Sequence, residues 1–123
     1  MTAPVTTRRA NRHRGEVEAV IDGERRILCL TLGALSELET AFAADNLADL
    51  GHRFASGKLK AIDLVRIIGA ALRGGGNAFS DEDVAGMSVE GGIAGSARLV
   101  SELLSLTFSG SAAAEQPETG ADP

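Results

Sequence analysis

Tryptophan and tyrosine are absent from the 123 residues, and phenylalanine occurs only four times. A core must therefore be assembled from Leu, Ile, Val and Ala. That favours packed helices over a β-sandwich, which draws on aromatic and β-branched side chains. Cysteine is nearly absent too: Cys29 stands alone, which excludes an internal disulfide. With His13 and His52 the only histidines, no Cys/His cluster with metal-ligand spacing exists, and no cofactor is expected. Cys29 lies in the apolar run "RILCL" and reads as a small core residue, since the basic or helix-start setting that activates a thiol is missing. No run approaches the roughly 18 apolar residues of a membrane span. The N-terminus "MTAPVTTRRANRHRG" has arginines but no apolar stretch, so it is not a secretory signal, and a cytoplasmic location is expected.

What is present is one small domain's worth of chain, 44% apolar, with an uneven charge. Residues 1–14 hold Arg8, Arg9, Arg12 and Arg14 and no acid, so the rest carries 8 bases against 17 acids, a charge of −9. An acidic body argues against a nucleic-acid-binding domain. The arm of residues 1–14 reads as a disordered, solvated terminus. Residues 110–123, within "SGSAAAEQPETGADP", have no hydrophobic face and read as a disordered polar tail. The folded domain is expected over residues 15–109.

Alternation in "GEVEAVIDGERRILCL", broken by the turn signal Asp22-Gly23, predicts a β-hairpin over residues 15–22 and 25–31. Its register is open: a two-residue loop sets Ala19 opposite Arg26, and a four-residue loop sets it opposite Leu28. The period then becomes helical. Leu32, Leu35, Leu38 and Phe42 form a stripe behind a Thr31 N-cap. Leu47, Leu50 and Phe54 form the next, capped by Asp45 or Asn46 and stopped at Gly57. "KAIDLVRIIGAALRGGG" is apolar except along one narrow line of Asp63, Arg66, Gly69 and Arg73, which predicts a central helix or a face kept for a partner. Ser80 and Asp83 form a capping box with acids in the first turn. In the last helix Ile93, Ala97, Val100, Leu104 and Phe108 form a stripe that Leu99, Leu103 and Leu106 widen. The fold class expected is mainly α with a short N-terminal β-hairpin, a small single-domain bundle of about five helices.

Three glycines at 74–76 invite comparison with a phosphate loop. Such a loop needs glycines before a helix, ending in Lys and Ser/Thr. Here they follow a helix and lead into Asn77-Ala78-Phe79, and a dinucleotide fingerprint would need a preceding strand. Gly74 fits a left-handed helix-closing position, with Arg73 in the last turn. Ser96 in "AGSAR" lacks the nucleophile elbow, and no paired carboxylates stand out. The chain is therefore expected to be a binding module and not an enzyme.

The stretch from Asn11 to Phe108 resembles the gene transfer agent family of short proteins encoded in phage-like tail gene clusters. The resemblance rests on "NRHRGEVEAVIDGERRILCLTLGALSELETAF", "DLVRIIGAALRGGGN" and "VEGGIAGSARLVSELLSLTF". It implies a role in building the tail of a phage-like particle, either as a tail assembly chaperone or as a tube subunit. Tail tubes are rings on β-sandwich-like folds whose long strands pair between subunits; tail assembly chaperones are small helical proteins that keep the apolar tape-measure protein soluble until tube protein polymerises around it. One hairpin and five helices suit the chaperone, with the tape-measure and tube proteins as partners and a homo-oligomer as a possible state. Grooves between helices would take helical stretches of the tape measure, with Leu64, Ile67, Leu99, Leu103 and Leu106 as candidate contacts. The alternatives are a structural tail component built into the particle, or a nucleic-acid-associated protein acting through its arginine arm.

Overall fold

The structure, a computed structural model, describes residues 9–11 and 14–120, with side chains as far as Phe108. Two strands, β1 (Glu16–Ile21) and β2 (Glu24–Cys29), are followed by helices α1 (Leu32–Ala41), α2 (Leu47–Ala55), α3 (Ala61–Gly74), α4 (Asp81–Ala85) and α5 (Gly92–Gly120). The fold is mainly helical with an N-terminal hairpin, as its sequence periodicities predict. Asp22 and Gly23 both take positive φ, at 53° and 80°, so the loop has two residues and sets Ala19 opposite Arg26. Val17 and Leu28 then meet on one face and bury together.

α3 is the centre of the bundle. Ile67, Ile68, Ala70, Ala71 and Leu72 are buried, and the helix packs against β2, α1, α4 and α5. Its narrow polar line is where neighbours attach. Asp63 accepts from the Lys60 N–H at the helix start (2.8 Å). Arg66 reaches the Phe42 ring at 6.0 Å. Arg73 pairs with Glu37 of α1 at 2.6 Å and Asp81 of α4 at 3.0 Å, and donates to the Phe79 carbonyl at 2.8 Å. One guanidinium thus ties three helices together.

The Gly74–Gly76 run ends α3 two residues later than the left-handed close expected at Gly74. Gly74 is still helical, Gly75 is the C-cap, and Gly76 alone is left-handed, at φ 97°. The first two glycines serve a different need. A side chain on Gly74 would be driven into the carbonyl oxygen of Cys29, and one on Gly75 into that of Ile27. The helix end therefore rests directly on the backbone of β2, and Asn77 Nδ2 completes the joint by donating to the Ile27 carbonyl at 2.9 Å.

The helix caps fall where side-chain chemistry puts them. Thr31 accepts from Ala34 N–H, Asn46 from Asp49 N–H, and Ser80 with Asp83 forms a capping box. Two expectations change, at Leu32 and Cys29. Leu32, at the first position of α1, points to solvent, and Ala34 is buried in its place. Cys29 is half-buried rather than core, its thiol donating to the Arg14 carbonyl at 3.5 Å. Residues 9–11, within the arm expected to be disordered, lie against the hairpin: the Ala10 and Asn11 N–H groups donate to the Glu18 and Glu16 carboxylates, both at 2.8 Å. α5 continues through the expected tail to Gly120, where Ala112 to Gln116 are all good helix formers. His13, Arg8 and Arg12 lie outside the described residues.

Candidate functional site

α5 is apolar around more of its circumference than one core contact requires. Leu99, Val100 and Leu103 are buried against the bundle, whereas Ile93 is 72% exposed and Ala97 is exposed as well. Ile93, Ala97, Leu104 and Phe108 instead form one wall of an open groove of about 810 Å³, which the buried Val100 also borders. Leu47, Ala48, Gly51, Phe54 and Ala55 of α2 form the other wall, and Leu59 and Leu64 complete the lining. From Ile93 to Phe108 the wall runs about 22 Å at 1.5 Å per residue, a little over four helical turns.

Two properties define this groove. Among the described residues its lining contains no charged side chain, and Ser101 and Ser105 are its only hydroxyls. Small residues line both walls, Ala48, Gly51 and Ala55 on α2 and Ala97, Ser101 and Ser105 on α5, which suits close approach of a third backbone. The Phe108 ring lies over Gly51 and 6.4 Å from the Phe54 ring, which meets Phe42 edge-on at 5.5 Å. Three of the chain's four phenylalanines thus support this end of the groove.

A second groove of about 620 Å³ adjoins the first, sharing Leu47, Ala48 and Phe108 and continuing over Leu30, Leu35 and the exposed Leu32. At the other end, Leu64 and Ile93 also border an opening of about 410 Å³ beside Met87 and Val89. The apolar surface is therefore continuous past both ends of α5's described face.

The five sequence-derived contacts separate. Leu64 lines the first groove and Leu106 the second. Ile67, Leu99 and Leu103 lie in the core, each at most 5% exposed. The groove residues that the sequence reading passed over as contacts are Leu47, Ile93, Ala97 and Leu104. On α5 the signal was present: a stripe too wide for one neighbour contains two faces, and Ile93, Ala97 and Leu104 fall on the open one.

Among the described residues, none that lines the groove ionises. Elsewhere, burial and the nearby Glu16 carboxylate push the Cys29 thiol up, which disfavours a reactive thiolate. The Ala10 N–H, with Arg9 and Arg25, holds Glu18 below its ordinary value against the opposing effect of desolvation. Among the described residues no group of three His, Cys, Asp or Glu could hold a metal ion, and no helix is long and apolar enough to cross a membrane.

No curated protein and no solved structure matches the chain significantly. A family profile described as "Phage tail tube protein, GTA-gp10" matches residues 14–110, from the turn before β1 to just past the last described groove residue. On that match, which spans the hairpin and the groove-bearing bundle alike, the chain belongs to this gene transfer agent and phage tail family.

Proposed function

We propose that this protein is a tail assembly factor that holds an apolar-faced helix of the tape-measure protein in the groove between α2 and α5. The observation that carries this reading is the groove itself: uncharged, open, four turns long and walled by two helices. Such a cleft suits helix-in-groove recognition, in which a partner contributes apolar residues at i, i+3/i+4 and i+7. Binding would be non-covalent, would need no catalytic group, and would end when tube protein displaces the chaperone.

The fold supports a helper over a ring subunit. The described sheet has two six-residue strands. Asn77 and the glycine run occupy the outer side of β2, and residues 88–90 occupy the end of β1, so little edge is left to pair between copies.

A second reading is a structural tail component incorporated in the particle. The family's description names the tube protein itself, and that match speaks more directly for this reading than for the chaperone. Co-expression with the tape-measure protein of the same gene cluster separates the two. A tape measure that is insoluble alone and soluble in complex with this chain supports the helper. Failure of the complex, with this chain present in many copies in finished particles, replaces that reading with the structural one.

A further inference from the structure

Half of the eight basic residues that follow residue 14 fall between positions 53 and 66. Arg53, Lys58, Lys60 and Arg66 stand there with Asp63 as the one acid, a charge of +3. The rest of residues 15–123 carries 4 bases against 16 acids, a charge of −12. The fold keeps this basic island together. Arg53, Lys58 and Asp63 line a shallow depression of about 220 Å³ beside Phe42, and Arg66 stands over the same Phe42 ring at 6.0 Å. Asp63 is turned to its own helix start, where it accepts from the Lys60 N–H at 2.8 Å. Arg53 has Asp49 at 3.7 Å, a loose pair between solvated side chains. Among the described residues, Lys58, Lys60 and Arg66 make no ion pair.

The opposite charge gathers toward the other end of α3. Asp81 occupies the notch left by Gly69, where a side chain would collide with its carboxylate, and Arg73 pairs with both Asp81 and Glu37. Glu82 and Asp83 follow, exposed in the first turn of α4. Four acids around one base leave this face at −3. From Lys60 to the level of Gly69–Arg73 the rise along α3 is about 14–20 Å, and the ion pairs of the acidic face go to Arg73, not to the island. A long polyanion laid on the island would run on over acidic surface. A second copy presents its acidic face locally, with a charge that matches the island's. Two different surfaces that fit each other in this way make a heterologous contact.

We propose that the basic island around Lys58 and Lys60 docks the acidic face around Glu82 of a second copy, so that copies associate head to tail. The inference is independent of what fills the α2/α5 groove. Sedimentation of the full chain tests it without any substitution. The mass should rise with protein concentration at about 0.1 M salt, where charges act over about 10 Å, and fall to that of one chain at about 1 M, where their reach is about 3 Å. The dissociation constant should rise by at least about tenfold between the two, because the charges involved are exposed. Two variants, with circular dichroism to confirm the fold, then spoil one face each. Lys58→Glu with Lys60→Glu reverses the island. Glu82→Lys with Asp83→Asn neutralises the acidic face and keeps a side-chain oxygen for the Ser80 N–H, which Asp83 now accepts. Each variant alone should remain a single chain. Mixed, they should form pairs and nothing larger, because the first keeps a native acidic face and the second a native island. An association that persists at 1 M salt, a variant that associates on its own, or a mixture that stays monomeric would each overturn the proposal. So would a constant wild-type mass, and if that chain still binds polyglutamate through Lys58 and Lys60, the island belongs to an acidic segment of another protein.

Discussion

A methyl group at Gly75 has nowhere to go, because the carbonyl oxygen of Ile27 occupies its place and backbone cannot step aside as a flexible side chain would. Gly75→Ala should therefore destabilise the protein by about 1–3 kcal/mol, the range of overpacking a closed site. At Gly76 the space is open and only the left-handed φ of 97° matters, so Gly76→Ala should cost less, on the order of 1 kcal/mol. Urea denaturation of the two variants checks the order, and a larger loss at Gly76 would refute this account of the joint. Glu18 gives a second residue-scale prediction. Its carboxyl is held below its ordinary value of 4.5, chiefly by the Ala10 N–H. A carboxylate depressed in the folded state adds stability above its unfolded value and loses it as pH falls through the folded one. Amide shifts of Ala10 should thus be constant at neutral pH and move only below pH 4.5, and Glu18→Gln should abolish the movement. At this scale the sequence identifies the glycine run as a helix stop. Why Gly74 and Gly75 must also be glycine depends on the approach of β2, some fifty residues away in the chain, which no local signal carries.

α5 shows how far periodicity reaches at the scale of an element. Spacing alone reveals that the helix is apolar on two sides, but a hydrophobic stripe does not state which side meets the core and which meets solvent. Leu99 and Leu103, read as widening the stripe, are its buried centre, while Ile93 and Ala97 line the groove. Leu32 misleads for a related reason: at the first turn of α1 the helix has only begun to face the core, so an apolar residue at the right spacing is left 81% exposed. The two faces of α5 predict opposite mutational behaviour. Leu103→Ala should cost about 2–5 kcal/mol by opening a cavity. Ala97→Leu should stay within about 0.5 kcal/mol of wild type, since its site is exposed, yet the added bulk would obstruct the groove. Thermal melts paired with tape-measure pull-downs test both. Lost binding by a fully stable Ala97→Leu protein assigns binding to the groove; retained binding removes the groove from the function. The hairpin is the better-read element: its turn residues and alternation are legible, and the positive φ at both Asp22 and Gly23 selects between its two registers.

At the scale of the whole molecule, the balance between an uncharged groove and a charged exterior bears on when a partner could be held. The groove offers apolar surface and no ion pair, so binding there should depend little on salt, because screening acts on exposed charges and leaves apolar burial in place. Binding through the arginine arm would behave differently, with affinity falling steeply as counterions are restored. Part of that arm's charge is already engaged, since Arg9 pairs with Glu18 at 3.1 Å. Raising salt from about 50 to 200 mM should therefore change tape-measure capture less than threefold, whereas phosphate-directed binding by several arginines falls by orders of magnitude over that range. The same series on a chain carrying Leu64→Asp, in the lining of the groove, supplies the counterpart. Capture should be lost at every salt concentration, because a carboxylate would be placed in a lining that has no cation to meet it. A capture that is salt-sensitive in the parent and survives Leu64→Asp would move the function from the groove to the charged surface, and the helix-holding role would go with it.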